Sequence, residues 1–319
     1  MDLSTIQKAR NAIAPFVRKT PLIRAYELEA QMGVKGRIFL KCDHLHVTNS
    51  FKVRGAFNAL LSLASEEKKR GVITRSAGNF GAALSFAGKE LQIPVTLVMP
   101  QTVPKAKYDL CAAYSASIVL KPTRQEEEEA VQLIAREKNL IKLSPYNHLG
   151  VIAGQGTIAL EIHEALPSVQ FFFCQIGGGG LLSGCAAAFK QIDATVKTIG
   201  IEPSGANDYF LSRKAKKKVR LEKVRTIADG LVAPEVGDLN YPILEKYVDQ
   251  VEVVPDEAII EAMRFLYEKM GMIMEPSGAT SVAGLMAHPK ADLEGDIVCI
   301  LSGSNVDRKK FYSWLDGCN

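Results

Sequence analysis

The chain predicts an α/β protein with mainly parallel sheets. Three observations support this: short apolar runs rich in β-branched and aromatic residues, longer amphipathic stretches alternating with them, and small glycine-bearing turns directly after several runs. In chain order, 37–41 (RIFLK), 71–75 (GVITR), 95–99 (VTLVM), 116–120 (ASIVL), 171–176 (FFFCQI), 198–202 (TIGIE) and 297–301 (IVCIL) read as buried strands. Between them, residues 80–91, 126–138, 154–165, 181–191 and 256–270 have helical spacing and compatible composition. A chain of 319 residues exceeds one comfortable hydrophobic core. Residues 71–147 hold enough alternating strands and helices for a small lobe, predicted to be mobile, set into a discontinuous larger domain of residues 1–70 and 148–319.

Composition removes several function classes. Thirty-nine Lys and Arg against 35 Asp and Glu leave a net charge of +4, too diffuse for a nucleic-acid partner. The acidic run 126–129 and the lysine-dense stretch 213–220 read as solvated faces, because no interleaved aromatics accompany them. Cys42, Cys111, Cys174, Cys185, Cys299 and Cys318 are scattered without a C-x-x-C pair, so neither a zinc frame nor a disulfide ladder is expected. The first ten residues mix charged and polar side chains, and no apolar run approaches a membrane span, so the expected location is the cytoplasm, with no membrane partner.

Four constellations can carry chemistry. The first, Thr48-Asn49-Ser50-Phe51-Lys52-Val53-Arg54-Gly55-Ala56, puts Lys52 just inside a predicted helix start. There the macrodipole disfavours its charged form, and burial would lower its pKa further, leaving an amine for Schiff-base chemistry. The second follows the 171–176 strand: Gly177-Gly178-Gly179-Gly180 and then a helix, the order in which backbone N–H groups close on a phosphate. The run fails both G-x-G-x-x-G and the Walker pattern, so the phosphate belongs to neither NAD nor ATP, although a non-catalytic phosphate-binding module stays open on this run alone. The third, Ser76-Ala77-Gly78-Asn79-Phe80-Gly81, could present amides to a carboxylate, or be an ordinary capped turn. The fourth, Ser302-Gly303-Ser304-Asn305, puts hydroxyls at the carboxyl end of a strand, where open α/β sheets bind ligands.

In this order the four sites resemble the pyridoxal-phosphate enzymes of fold type II, specifically the serine/threonine dehydratase and serine racemase group, and in pattern the short catabolic threonine dehydratases. Gly154-Gln155-Gly156-Thr157, Glu202-Pro203-Ser204, Thr226-Ile227-Ala228-Asp229-Gly230 and Glu275-Pro276-Ser277-Gly278-Ala279 extend the match over nearly the whole chain. The resemblance implies a tryptophan synthase β-like architecture of two open, twisted, mostly parallel sheets flanked by helices. It implies pyridoxal 5'-phosphate attached to Lys52, which would also take and return the substrate α-proton. Phe51 would pack beside the ring and Asn79 bond the ring hydroxyl; Gly177, Gly178, Gly179, Gly180 and Leu181 would hold the phosphate, and Ser302 would meet the ring nitrogen. Glu275 joins the implied cofactor contacts, and Ser76, Ala77, Asn79 and Phe80 the clamp on the substrate carboxylate. Glu202, Ala206 and Asp208 match the group's divalent-cation position, where all-oxygen ligation suits Mg²⁺, Ca²⁺ or Mn²⁺. A homodimer acting on a small amino acid is also implied.

Departures from the family pattern bear on the activity. Racemases carry a serine immediately before the Gly-Asn pair, where this chain has Ala77, and Tyr146 stands where the racemase pattern has asparagine and dehydratases have an aromatic. Both favour a dehydratase (a carbon–nitrogen lyase) acting on L-threonine or L-serine. The alternatives are a serine or aspartate racemase, or a dehydratase of another hydroxy amino acid such as L-threo-3-hydroxyaspartate. Asn49, Phe80 and Ser304 replace the usual glycine, histidine and second glycine, which opens the choice of substrate. The chain stops soon after the last motif, so feedback inhibition by a branched-chain amino acid is not expected.

Overall fold

The computed structural model describes residues 1–103 and 105–317. Cys318 and Asn319 lie outside the described residues. The described strands are β1 (Leu22–Arg24), β2 (Ile38–Lys41), β3 (Val72–Arg75), β4 (Val95–Pro100), β5 (Ser117–Lys121), β6 (Ile141–Lys142), β7 (Val169–Gln175), β8 (Lys197–Pro203), β9 (Gln250–Val254) and β10 (Asp296–Ile300). They form a six-stranded sheet in the order β1-β2-β10-β7-β8-β9 and a four-stranded sheet in the order β5-β4-β3-β6. Among these strands only β1 pairs antiparallel, with β2; all other strand pairings among the described residues are parallel.

Parallel strands need crossover connections, and the helices that supply them cover both sheet faces. That is why central β10 is buried at every position and, after Asp296, reads as an unbroken apolar run. Two apolar cores flank the larger sheet, one around Phe172, Phe189 and Ile152, the other around Phe173, Ile201 and Met263. A third lies under the smaller sheet around Phe57, Phe80 and Leu97.

Every strand expected from the sequence is present, whereas the short β1 and β6 and the edge strand β9 were not expected. The helix expected at 154–165 begins earlier, as Leu149–Ala165. Its glycines weaken helix propensity yet allow close packing. A Cβ on Gly154 would sit 2.6 Å from the Arg54 carbonyl oxygen, and one on Gly184, in helix Gly180–Ile192, would sit 2.2 Å from that of Ile152. Helices Lys52–Leu61, Leu149–Ala165 and Gly180–Ile192 therefore interlock, so the helices that begin at Lys52 and at the glycine run share one rigid support.

Among the described residues no helix is long and apolar enough to cross a membrane. Cys42, Cys111, Cys174, Cys185 and Cys299 are free and buried, and burial pushes their thiols up, that of Cys111 to about 11. They are chemically quiet core residues.

Candidate active site

The carboxyl ends of β3, β7 and β10 open on a cavity of about 510 Å³. Its wall includes every cofactor or carboxylate residue expected from the sequence: Phe51, Lys52, Ser76, Ala77, Asn79, Phe80, Gly177, Gly178, Gly179, Gly180, Leu181, Glu275 and Ser302. These come from five separate stretches of chain.

Lys52 is the first residue of helix Lys52–Leu61, with Phe51 as its N-cap. Its Nζ donates to the Pro145 carbonyl at 3.0 Å and lies 4.9 Å from the Phe51 ring and 5.9 Å from the Phe80 ring. Part of its surface faces the open cavity, but the amine is enclosed by protein, and burial lowers its pKa to about 8; Glu275 partly restores it. The amine at the start of a helix thus sits about where a free base is accessible near neutral pH.

The glycine run leads from β7 into helix Gly180–Ile192. Gly179 has φ +89°, in the left-handed region that favours glycine. At Gly178 a Cβ would meet the Tyr146 ring at 2.2 Å, so the phenol ring packs directly against the loop. Helix-start amides free of side chains form an anion cradle.

On the opposite side, Ser302 Oγ accepts a short hydrogen bond from Gln175 Nε2. Its own hydrogen is therefore free to be donated into the cavity. Gln175, expected only as part of the 171–176 strand, is 3% exposed, and its Oε1 has no hydrogen-bond partner among the described residues. A polar residue closing an apolar strand just before four glycines was the signal available. Asn79 begins helix Asn79–Leu91, and its Nδ2 donates to Glu275 Oε1 at 2.6 Å. Burial, reinforced by Asp229, raises the Glu275 carboxyl to about 8, with Asn79 and Lys107 opposing. Ser76 Oγ accepts from Gly81 N at 3.1 Å and caps that helix turn.

Arg75, Arg124, Lys107 and Asp229 also line the cavity, and none was assigned to the wall beforehand. Lys107 pairs with Asp229 at 2.7 Å, and Arg75 pairs with Glu127 at 3.3 Å. Burial raises the Tyr146 phenol, while Arg75 and Arg124 pull it down.

These residues fit pyridoxal phosphate. An enclosed amine is suited to its aldehyde, a helix-start glycine loop to its phosphate, and a free hydroxyl proton at Ser302 to an unprotonated ring nitrogen.

The candidate cation position lies apart, at the end of β8. Glu202 is buried and accepts from Tyr209 N at 3.0 Å and Phe210 N at 2.6 Å. Asp208, 1% exposed, opens helix Asp208–Ala215, and neither carboxylate oxygen makes a well-formed hydrogen bond. Burial raises Asp208 to about 7, despite some relief from backbone N–H groups of Val236 and its own residue. Burial and the neighbouring Asp208 push Glu202 well above the carboxylate range. Ala206 is buried between them in sequence. Among the described residues no three His, Cys, Asp or Glu side chains group as metal ligands, so a cation here would need carbonyl and water oxygens. Two adjacent uncompensated carboxyls, one with orphaned oxygens, fit a hard divalent ion.

Residues 13–303 match the family described as pyridoxal-phosphate dependent enzyme. The chain is 38% identical over 313 residues to a serine racemase of Arabidopsis thaliana, covering 96% of this chain and 93% of that one. It is 34% identical over 310 residues to an L-threo-3-hydroxyaspartate ammonia-lyase of Saccharomyces cerevisiae, covering 97% and 94%. The solved structure of the processed form of threonine deaminase isoform 2 from Solanum lycopersicum superposes with a TM-score of 0.93 at 33% identity, covering 99% of this chain and 88% of that one.

Proposed function

Because this chain belongs to the pyridoxal-phosphate dependent enzyme family, of fold type II, we propose that it is an ammonia-lyase of β-hydroxy amino acids. In this reading it removes water from L-threonine or L-serine, and the resulting enamine hydrolyses to the 2-oxo acid and ammonia. Bound pyridoxal phosphate supplies an electron sink for the bond broken at the substrate α-carbon.

The chain's own residues account for the rest. Lys52 takes the α-proton, for which a pKa of about 8 suits it. The N–H groups of Gly177, Gly178, Gly179, Gly180 and Leu181 hold the phosphate, while Phe51 packs beside the ring and Asn79 donates to the ring hydroxyl. Ser302 presents a hydroxyl and no negative charge, so it does not hold a proton on the ring nitrogen; that weaker sink suits elimination over transamination. Ser76 and Asn79, with the amides of Ala77 and Phe80, orient the substrate carboxylate. Glu202, Asp208 and the Ala206 carbonyl would hold Mg²⁺, Ca²⁺ or Mn²⁺, whose charge would offset the repulsion between the two carboxylates.

One observation carries the choice of elimination over racemisation. Ala77 lines the same cavity as Lys52 and has no proton to give. A second substrate is favoured by Arg75 and Arg124 on the wall: a β-hydroxy amino acid with a second carboxylate, L-threo-3-hydroxyaspartate. The test is to incubate the cofactor-loaded protein and Mg²⁺ separately with L-threonine, L-serine and L-threo-3-hydroxyaspartate, following 2-oxo acid and the chirality of remaining substrate. Oxo acid without the D-enantiomer is expected. D-enantiomer accumulating faster than oxo acid would make the protein a racemase.

A further inference from the structure

Three side-chain amides from distant parts of the chain meet beside the cavity. Asn49 Nδ2 donates to Asn305 Oδ1 at 3.2 Å, Asn305 Nδ2 donates to Asn79 Oδ1 at 2.8 Å, and Asn79 Nδ2 ends the series on Glu275 Oε1 at 2.6 Å. All three bonds point the same way, from an exposed residue toward a buried carboxyl. The backbone holds the ends together: Ser304 N donates to Asn49 O at 3.0 Å, Phe51 N to Ser302 O at 2.9 Å, and Glu275 N to Gly303 O at 3.3 Å. Asn49 takes φ +53°, a conformation asparagine tolerates better than most residues.

The two ends of a side-chain amide have nearly the same shape and opposite polarity, so its neighbours decide which end faces where. Glu275 cannot decide for Asn79. Its carboxyl is raised to about 8, and a neutral carboxyl can either accept from an NH₂ or donate to a C=O. Asn305 can decide, because its Nδ2 also donates to the Thr48 backbone carbonyl at 2.9 Å, and a carbonyl only accepts. With Asn305 fixed by Thr48, Asn79 Oδ1 is pinned toward Asn305. Its NH₂ is then turned toward Glu275, with a second hydrogen left for the cavity.

We propose that Asn305 is a positioning residue that reads the Thr48 carbonyl and holds the Asn79 amide with its donor end toward the cofactor, with Asn49 securing it from outside. This rests on the reading of Asn79 as the donor to the cofactor's ring hydroxyl. Asn79 begins a helix packed on the smaller sheet, whereas Asn49, Glu275 and Asn305 follow or precede elements of the larger one, so the relay also ties the two sheets together at the cofactor.

The experiment titrates cofactor-free protein with pyridoxal phosphate and records the dissociation constant and the pH midpoint of the bound-cofactor absorbance. Asn305→Asp, Asn305→Ala and Asn79→Ala are compared singly and in combination. Asn305→Asp, which sets a carboxylate against Asn79 Oδ1 and turns that amide over, is expected to weaken cofactor binding about tenfold and to shift the midpoint. Asn305→Ala, which only frees the amide, is expected to cost about threefold. In the Asn79→Ala background neither adds anything, because Asn305 acts through Asn79. Thermal unfolding of the cofactor-free variants identifies one that has not folded, and Asn305→Ala then decides alone. Full additivity with Asn79→Ala, or an unchanged midpoint and affinity while Asn79→Ala weakens binding, overturns the role of Asn305 and leaves that of Asn79 standing. Unchanged binding in Asn79→Ala overturns both.

Discussion

Two sets of buried carboxyls in this molecule titrate in opposite directions. Asp43 and Glu161 lie beneath helix Lys52–Leu61, where Arg54 Nε donates to Asp43 at 2.7 Å and Arg54 Nη1 to Glu161 at 2.6 Å. Lys41 also donates to Glu161, and Thr20 and Thr157 complete the cluster. Burial alone would raise both acids, but Arg54 and Lys41, joined at Asp43 by His46, together outweigh it; Asp43 is held well below the usual carboxylate range and Glu161 below it. Glu275, Glu202 and Asp208 are as deeply buried, form no ion pair with a cation among the described residues, and are raised, at Glu275 despite Lys107. Compensated burial makes a rigid footing; uncompensated burial marks the places where a ligand's charge or hydrogen bonds complete the protein. The same logic separates Arg54, whose guanidinium is kept firmly charged by its two acids, from Lys52 two residues earlier, which burial brings down to about 8.

The largest expected effect lies on the uncompensated side. Lys52→Ala should lower oxo-acid turnover by about a thousandfold or more and abolish the bound-cofactor absorbance. Turnover retained with that absorbance would move the base elsewhere.

On the compensated side, Arg54→Met leaves two acids buried without their partner. Denaturant unfolding should show a loss of about 3–5 kcal/mol. A loss below about 1 kcal/mol would mean that the cluster is not the footing described.

The arginine cluster was not legible in the sequence, since the hydrogen-bonded pairs named above are 11 to 120 residues apart and no local pattern joins them. Asn305, which closes the fourth motif, and Gln175 carried no expected role for the same reason: each matters through a partner more than 100 residues away. Much of the cavity wall was legible because residues 76–80, 177–181 and Ser302 sit in short stretches directly after apolar strands, where parallel sheets open, and because four adjacent glycines are hard to explain as a turn. The central strands were legible through continuous apolar runs. β1 and β6, of three and two residues, are too short to show a period, and the glycines of helix Leu149–Ala165 hid its first turn while providing its packing.

Glu275→Gln sharpens the contrast through pH. The Glu275 carboxyl rises from 4.5 to about 8 on folding, so between those values the folded protein holds a proton that the unfolded chain has released. Wild-type stability falls as pH rises across that window. The glutamine variant should therefore gain on wild type between about pH 5 and about pH 8, by up to about 1.4 kcal/mol per pH unit, in urea unfolding at several pH values. A constant difference would mean that Glu275 titrates normally.

A smaller effect is expected at the cation position. A divalent ion held by Asp208 and Glu202, as proposed, would compete with protons, so Mg²⁺ should raise Tm more at about pH 8 than at about pH 6. Asp208→Asn should remove that difference; its persistence would place the ion elsewhere.

The central claim is that uncompensated burial makes Lys52 an accessible amine at working pH. Its most direct test is the rate at which cofactor-free protein takes up pyridoxal phosphate, measured across pH by the growth of the bound absorbance. The rate should climb about tenfold per pH unit at low pH and level off near about 8, where the amine loses its proton. A rate still climbing toward the ordinary lysine value of 10.5 would contradict it.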